Sequence, residues 1–222
     1  MARKKLSRHE LKEDTFVSNV LRAWEFIRHN QNRFFAGLLV LVVMIAGAVW
    51  ISNSRGHTEE NARTQFAEAL AAFRQGELST AEEMFRVVND RFHGLEEGAY
   101  SAYFAGKCAL ERGRNANAVE MFEEYLESAG KFPFFRDAAL EGMAVAFENE
   151  RDYERASEVY LRLASSMETN SFMEASYLRK AADTLKLSEQ RDKAIEVLER
   201  LHELSSGTER RDIEIELDIL RG

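Results

Sequence analysis

The chain has 222 residues, of which 45% are hydrophobic and 31% charged, and its formal net charge at pH 7 is −8. This acidic balance argues against nucleic-acid binding, because phosphates require a basic face. A single cysteine, Cys108, excludes an internal disulfide, and twelve glycines with one proline leave few residues for the turns of a β-sheet. The composition therefore indicates an all-α protein.

Residues 1–33 form a basic tail with eight basic and four acidic residues, whereas residues 34–222 carry 22 basic and 34 acidic residues. Apolar side chains recur at helical spacing in the tail, which predicts an amphipathic helix over residues 13–29. They are Phe16, Val17, Val20, Leu21, Trp24 and Ile27. This helix is either a lead-in lying on the membrane surface or a docking helix for a membrane partner, and the sequence leaves both readings open.

An uncharged run at residues 34–54 follows, and its apolar part, Phe34 to Ile51, has 18 residues. A helix of that length is about 27 Å long, close to the hydrocarbon thickness of a bilayer. We therefore predict one transmembrane signal-anchor helix. A cleaved signal peptide has a shorter apolar core, of about 7 to 15 residues, and a helix buried in a globular core would not be apolar on every face.

The positive-inside rule gives this anchor an orientation. The basic tail is predicted to be cytoplasmic, and residues 55–222 are predicted to form a periplasmic or otherwise extracytoplasmic domain. The expected location is the bacterial inner membrane.

Four alanines mark an internal repeat in that domain, at intervals of 37, 38 and 38 residues. The alanines are Ala81, Ala118, Ala156 and Ala194, and four residues after them come Phe85, Phe122, Tyr160 and Leu198. Twelve residues before them stand Ala69, Gly106, Ala144 and Ala182, and five residues before them stand Gly76, Gly113, Arg151 and Glu189. The pattern predicts two helices and a tight turn in each unit, with small residues where the helices touch. A closing helix over residues 208–220 is predicted to cover the last unit through Ile213, Leu217 and Leu220.

The segments Gly113–Leu126 and Arg151–Leu163 resemble the tetratricopeptide repeat (TPR). The resemblance implies an all-α solenoid of about four helical hairpins that binds other proteins. The chain departs from the usual pattern because its period exceeds about 34 residues and the turn glycine is missing in repeats three and four. The closing proline is also missing, unless Pro133 takes its place after repeat two.

The complete layout resembles the YfgM-type ancillary subunits of the SecYEG translocon, since a short tail and one anchor precede a tetratricopeptide-like domain. This resemblance implies a scaffold at the protein-export channel, with Sec translocon subunits, periplasmic chaperones or exported clients as partners. The alternative is an envelope scaffold in cell division or outer-membrane assembly. A third reading is a regulator of a membrane-bound hydrolase or peptidase, with the repeats recruiting its substrate.

Catalytic motifs are not found in the sequence. The five histidines lack partners at metal-ligand spacing, and there is no glycine-rich phosphate loop. Cys108 is interpreted as a small buried apolar residue rather than a reactive thiol. We therefore expect a protein that is not an enzyme and has no cofactor, metal or small-molecule substrate.

A protein-binding groove is predicted on the concave face of repeats one and two, from the register of their first helices. Its residues are Arg63, Phe66, Phe73, Tyr100, Tyr103 and Lys107. The competing interpretation is that the four aromatic rings are ordinary packing between repeats. The C-terminal half of the same face is mixed in charge, with Glu141, Glu148, Arg179 and Lys186. The Lys and Asn set that clamps a C-terminal carboxylate in chaperone-binding relatives is not present.

Overall fold

The computed structural model describes the backbone of residues 31–167 and 171–222, and the side chains of residues 35–47, 56–167 and 171–222. These residues form α-helices and one 3₁₀ turn, without a β-strand, which confirms the predicted all-α class. The helices are α1 (Gln31–Arg74), α2 (Leu78–Phe92), α3 (Glu96–Glu111), α4 (Asn115–Ser128), α5 (Arg136–Asn149), α6 (Tyr153–Ser166), α7 (Ser171–Leu187), α8 (Arg191–Leu204) and α9 (Gly207–Arg221), and the 3₁₀ turn is Pro133–Phe135. The predicted amphipathic helix at residues 13–29 lies outside the described residues.

The predicted membrane span belongs to α1, but the side chains of Phe34 and of residues 48–54 lie outside the description. Among the residues that are described, no helix is both long enough and apolar enough to cross a membrane. The anchor at residues 34–54 and the boundaries drawn from it stay predictions.

Residues Glu59–Gly222 form a compact unit of their own, and the chain up to Thr58 forms another. In the second unit, the end of α1 pairs with α2, and the pairs α3–α4, α5–α6 and α7–α8 follow. The small residues predicted at the helix contacts are fully buried in all four pairs. The hydrophobic residues four positions after the alanines are also buried, with at most 1% of their surface exposed. The predicted repeat register is therefore confirmed.

Phe122 shows how close the helices are. A Cβ atom added at Gly106 of α3 would lie 2.8 Å from Cδ1 of Phe122, and one added at Gly142 of α5 would lie 2.6 Å from its Cζ. Both distances are shorter than real Cβ contacts, so the Phe122 ring fills a slot between two glycines on two helices. This ring joins repeat two to repeat three.

The turn of each helix pair contains a residue with positive φ. Gly76 and Gly113 have φ of +78° and +71°, and the equivalent Arg151 and Glu189 have φ of +60° and +59°. A left-handed backbone is costly for residues with a Cβ atom and easy for glycine. Repeats three and four therefore keep the turn conformation although they lack the glycine.

We expect Arg151→Gly to stabilise the protein by about 0.5 to 1 kcal/mol, because glycine adopts the left-handed turn without steric cost. Urea unfolding followed by far-UV circular dichroism measures the change. Arg151→Ala is the matched control, since it removes the side chain but keeps the Cβ atom and should not stabilise. Gly113→Ala should destabilise by about 1 to 2 kcal/mol. Equal stabilities of Arg151→Gly and Arg151→Ala would contradict the assignment of the cost to φ.

The last helix covers the open side of the fourth pair. In α9, Ile213 and Leu217 are buried and Leu220 is half-buried against the core, as the stripe at residues 208–220 predicted. Ile215 and Ile219 face away and are exposed. The helix extends one residue further at each end than the segment predicted from sequence.

Candidate protein-binding groove

Helices α1 and α3 bring the predicted aromatic side chains together around Phe104, which is not one of the predicted residues. The ring centroid of Phe104 lies 5.9 Å from that of Phe66, 5.7 Å from that of Phe73 and 5.2 Å from that of Tyr103. Centroid distances in this range are typical of interacting aromatic pairs. Phe104 therefore connects the rings of repeat one to those of repeat two.

The two predicted basic residues lie on the same surface but interact differently. The Lys107 Nζ atom lies 5.4 Å from the centre of the Phe73 ring. Arg63 is largely exposed, and its Nε atom donates to Glu97 Oε1 at 3.1 Å. Lys107 thus belongs to the aromatic cluster, whereas Arg63 lies at its rim in an exposed ion pair.

The four predicted rings are half-buried, so each of the two interpretations from sequence applies in part. Phe66 and Phe73 pack against the core residues Ala69 and Phe85. Tyr100 and Tyr103 pack against the larger core cluster that contains Phe122. Each ring contributes to the core and still leaves part of its surface accessible. Whether a partner binds here stays a prediction.

A second set of rings comes from the segment at residues 131–135, which we call the aromatic loop. The Phe135 ring stacks on Tyr103 at a centroid distance of 4.4 Å and an interplanar angle of 3°. Phe134 lies 6.3 Å from Tyr100, and its side chain is 77% exposed. We call the combined surface the aromatic groove, and it consists of Phe66, Phe73, Tyr100, Tyr103, Phe104, Phe134 and Phe135.

Tyr125 holds the aromatic loop in place. Its hydroxyl donates to the carbonyl oxygen of Phe132 at 2.7 Å and accepts from the backbone N–H of Phe135 at 2.8 Å. The Tyr125 side chain is fully buried, and this burial raises the pKa of its hydroxyl above the ordinary value. The loop that presents Phe134 is therefore fixed to the core by two hydrogen bonds.

Phe104, Phe134 and Phe135 lie outside the first-helix positions from which the groove was predicted, so none of them was among the predicted residues. A signal for the loop was present, since three phenylalanines surround the single proline at residues 132–135. A Pro-containing segment before a helix predicts a short turn, and aromatic residues there must either pack against a neighbour or face solvent.

The C-terminal half of the concave face is polar and internally paired. Lys180 Nζ lies 2.5 Å from Glu141 Oε1, and the Tyr160 hydroxyl donates to Glu148 Oε2 at 2.9 Å. Burial and this hydrogen bond raise the pKa of Tyr160. Two further ion pairs link α7 to α9 through one carboxylate. They join Arg179 to Glu216 at 2.8 Å and Lys186 to Glu216 at 3.0 Å.

A metal-binding site or a reactive cysteine is not evident in the described part of the chain. No group of three or more His, Cys, Asp or Glu side chains there could hold a metal ion. Cys108 is fully buried, as interpreted from sequence, and burial raises the pKa of its thiol to about 12. The thiol is therefore protonated at neutral pH and is a weak nucleophile.

Comparison with known proteins identifies the fold. No protein-family profile matches the chain, and no curated protein matches its sequence. Two similar solved structures are a protein from Podosopora anserina, described as a kinesin light chain with nearly identical TPR-like repeats, and a single-substitution variant of it. Each has a TM-score of 0.51 and 20% identity, over 71% of this chain and 84% of that chain. The chain therefore contains a TPR-like solenoid.

Proposed function

We propose that this protein is a membrane-tethered scaffold that is not an enzyme and whose aromatic groove binds segments of other proteins. The observation that carries the proposal is the groove itself, where half-buried rings of two repeats adjoin the exposed Phe134. Contiguous exposed apolar surface marks interaction sites, and aromatic residues dominate the energies of interfaces. The charges in the C-terminal half form ion pairs within the chain, so that half has fewer charged groups with which a partner could pair.

We expect Phe134→Ala to reduce the recovery of partner proteins at least about tenfold without unfolding the domain, because the ring is exposed and supplies interface area. Recovery is measured by mass spectrometry after purification of the intact protein from gently solubilised membranes. Phe172→Ala is the matched control, since Phe172 is 81% exposed and belongs to α7, which contributes no residue to the aromatic groove.

Phe134→Ala separates an effect on binding from an effect on folding better than a double substitution of Phe66 and Tyr103 by alanine would. Those two rings also pack against the core, so that their removal affects folding and binding together. A folded Phe134→Ala protein that retains every partner would contradict the groove proposal. Equal losses with Phe134→Ala and Phe172→Ala would also contradict it.

The membrane tether rests on the sequence of residues 34–54 and on the described side chains within it. The apolar side chains from Phe35 to Ile45 are exposed, for example 66% at Leu39 and 62% at Val43. Removing this much apolar surface from water favours insertion into a bilayer. The basic tail supports an orientation with residues 55–222 outside the cytoplasm.

Protease added to intact spheroplasts should therefore digest residues 55–222 and spare the tail. Antibodies against tags at the two ends of the chain distinguish the fragments. A cytoplasmic protein of the same cells serves as the control for membrane integrity. Protection of the solenoid until the membrane is broken would show that the orientation is wrong.

We place this scaffold at the protein-export channel, with periplasmic chaperones or exported clients as further partners. The support is the layout of tail, anchor and repeats, which resembles the YfgM-type translocon subunits. The alternative is an envelope scaffold in cell division or outer-membrane assembly. The partners recovered in the purification above decide between them, because channel subunits favour the first and division or assembly proteins favour the second.

A further inference from the structure

Three lysine ammonium groups of the solenoid lie over aromatic rings. Lys107 lies 5.4 Å from the Phe73 ring, Lys131 lies 4.8 Å from the Phe132 ring, and Lys180 lies 5.4 Å from the Tyr160 ring. The carboxylate of Glu141 completes the Lys180 site at 2.5 Å. A tyrosine ring with an adjacent carboxylate therefore binds an ammonium group within this chain, by cation–π attraction and charge.

The same combination occurs at the end of the aromatic groove formed by Tyr100, Phe134 and Glu96. Glu96 lies one turn before Tyr100 on the same face of α3. Desolvation, together with the nearby Glu96 carboxylate, raises the pKa of Tyr100 to about 12. The exposed Phe134 ring stands 6.3 Å from the Tyr100 ring. The Lys131 ammonium group lies beside this surface, but it donates to the carbonyl oxygen of Gly94 at 3.1 Å and lies over the Phe132 ring. Within residues 56–167 and 171–222, the cation–π contacts and ion pairs involve neither the Tyr100 ring, nor the Phe134 ring, nor Glu96. The ring and carboxylate surface here is thus open to a cation from outside.

The charge of the surrounding chain favours such a cation. Acidic residues outnumber basic ones by 34 to 22 between residues 34 and 222. A net negative domain attracts basic segments and raises their rate of association. We infer that the partner of the aromatic groove is a segment in which a Lys or Arg lies next to apolar residues, with the cation placed against Tyr100, Phe134 and Glu96. This inference rests on the proposed function and specifies the chemistry of the partner.

The test uses the full chain in lipid nanodiscs and a phage library of random twelve-residue peptides. Peptides that bind the unaltered protein and not Phe134→Ala are sequenced. We expect them to carry Lys or Arg beside aromatic or aliphatic residues. One selected peptide is then labelled with fluorescein, and its Kd is measured by anisotropy with the unaltered protein and with Glu96→Gln.

Glu96→Gln should weaken binding about two- to fivefold, as expected for loss of one exposed charge contact. Exchanging the peptide's basic residue for glutamine should weaken binding by a similar factor. The two changes together should weaken it no further, because each removes the same contact. Glu123→Gln, which makes the same charge change on the exposed face of α4, should leave Kd unchanged.

The outcomes distinguish failure of the inference alone from failure of the proposed function. If no peptide depends on Phe134, the groove is not a binding site and both fail. If groove-dependent peptides lack basic residues or are acidic, the inference is wrong while the scaffold function stands. Fully additive effects of Glu96→Gln and the peptide substitution would also overturn the inference.

Discussion

Replacing Phe122 with alanine is expected to destabilise the solenoid by about 3 to 5 kcal/mol, which lowers the melting temperature by roughly 6 to 20 °C. The ring is 1% exposed and fills the slot between Gly106 and Gly142. Its centroid also lies 6.0 Å from that of Tyr103 in the aromatic groove. Alanine leaves a cavity at the junction of repeats two and three, because the backbones around it cannot close fully.

Urea unfolding measures this loss, and a second substitution tests its cause. Gly142→Ala alone should cost about 1 to 3 kcal/mol, because its Cβ atom meets Phe122 Cζ at 2.6 Å. In the Phe122→Ala background the same Cβ atom enters the vacated space, so Gly142→Ala should become neutral or stabilising there. Additive losses in the double variant would show that the ring and the glycine are not in contact. Phe172→Ala, on the surface, should change stability by less than about 0.5 kcal/mol.

Gly98→Ala is the second change with a large expected effect, a loss of about 3 kcal/mol or more. An added Cβ atom would lie 2.0 Å from the carbonyl oxygen of Phe92, and that oxygen also accepts the backbone N–H of Leu95 at 2.8 Å. Backbone atoms cannot rotate away as a side-chain tip can. The start of α3 must therefore shift away from α2, and this shift moves Tyr100 and Tyr103 as well.

Gly94→Ala provides the matched control in the same turn, because a Cβ atom there has no neighbour within 4 Å. Far-UV circular dichroism during urea unfolding compares the two variants. Peptide binding to the aromatic groove should fall with Gly98→Ala and persist with Gly94→Ala. Equal stability of the two variants would contradict the tight packing of this turn.

The candidate site was predictable only where it follows the repeat. Phe66, Phe73, Tyr100, Tyr103 and Lys107 occupy regular positions of first helices, and the structure places them on one surface. The aromatic loop follows no repeat, since its position depends on the buried Tyr125 hydroxyl and on stacking of Phe135 against Tyr103. Contacts between residues of different repeats have no sequence period, so the loop's place in the groove required the tertiary structure.

The buried charge at Glu82 also could not be predicted from the repeat pattern. Glu82 is 2% exposed, and its carboxylate pairs with Arg112 at 2.6 Å and Arg114 at 2.9 Å. These arginines follow α3, about thirty residues further along the chain. In sequence Glu82 is one acidic residue of an amphipathic helix. Only the packing of repeat two against repeat one identifies it as a buried link between repeats.

The helical class, the register of the repeats and the last helix could be predicted from sequence, because helix formation and close helix contact depend on residues a few positions apart. Small residues at Ala69, Gly106, Ala144 and Ala182 and their partners twelve positions later carry that information locally. The exposure of the rings, the position of Phe134 and the pairing of the charges could be known only from the folded chain. Those properties depend on the stacking of one repeat on the next, which brings together residues that are distant in the chain.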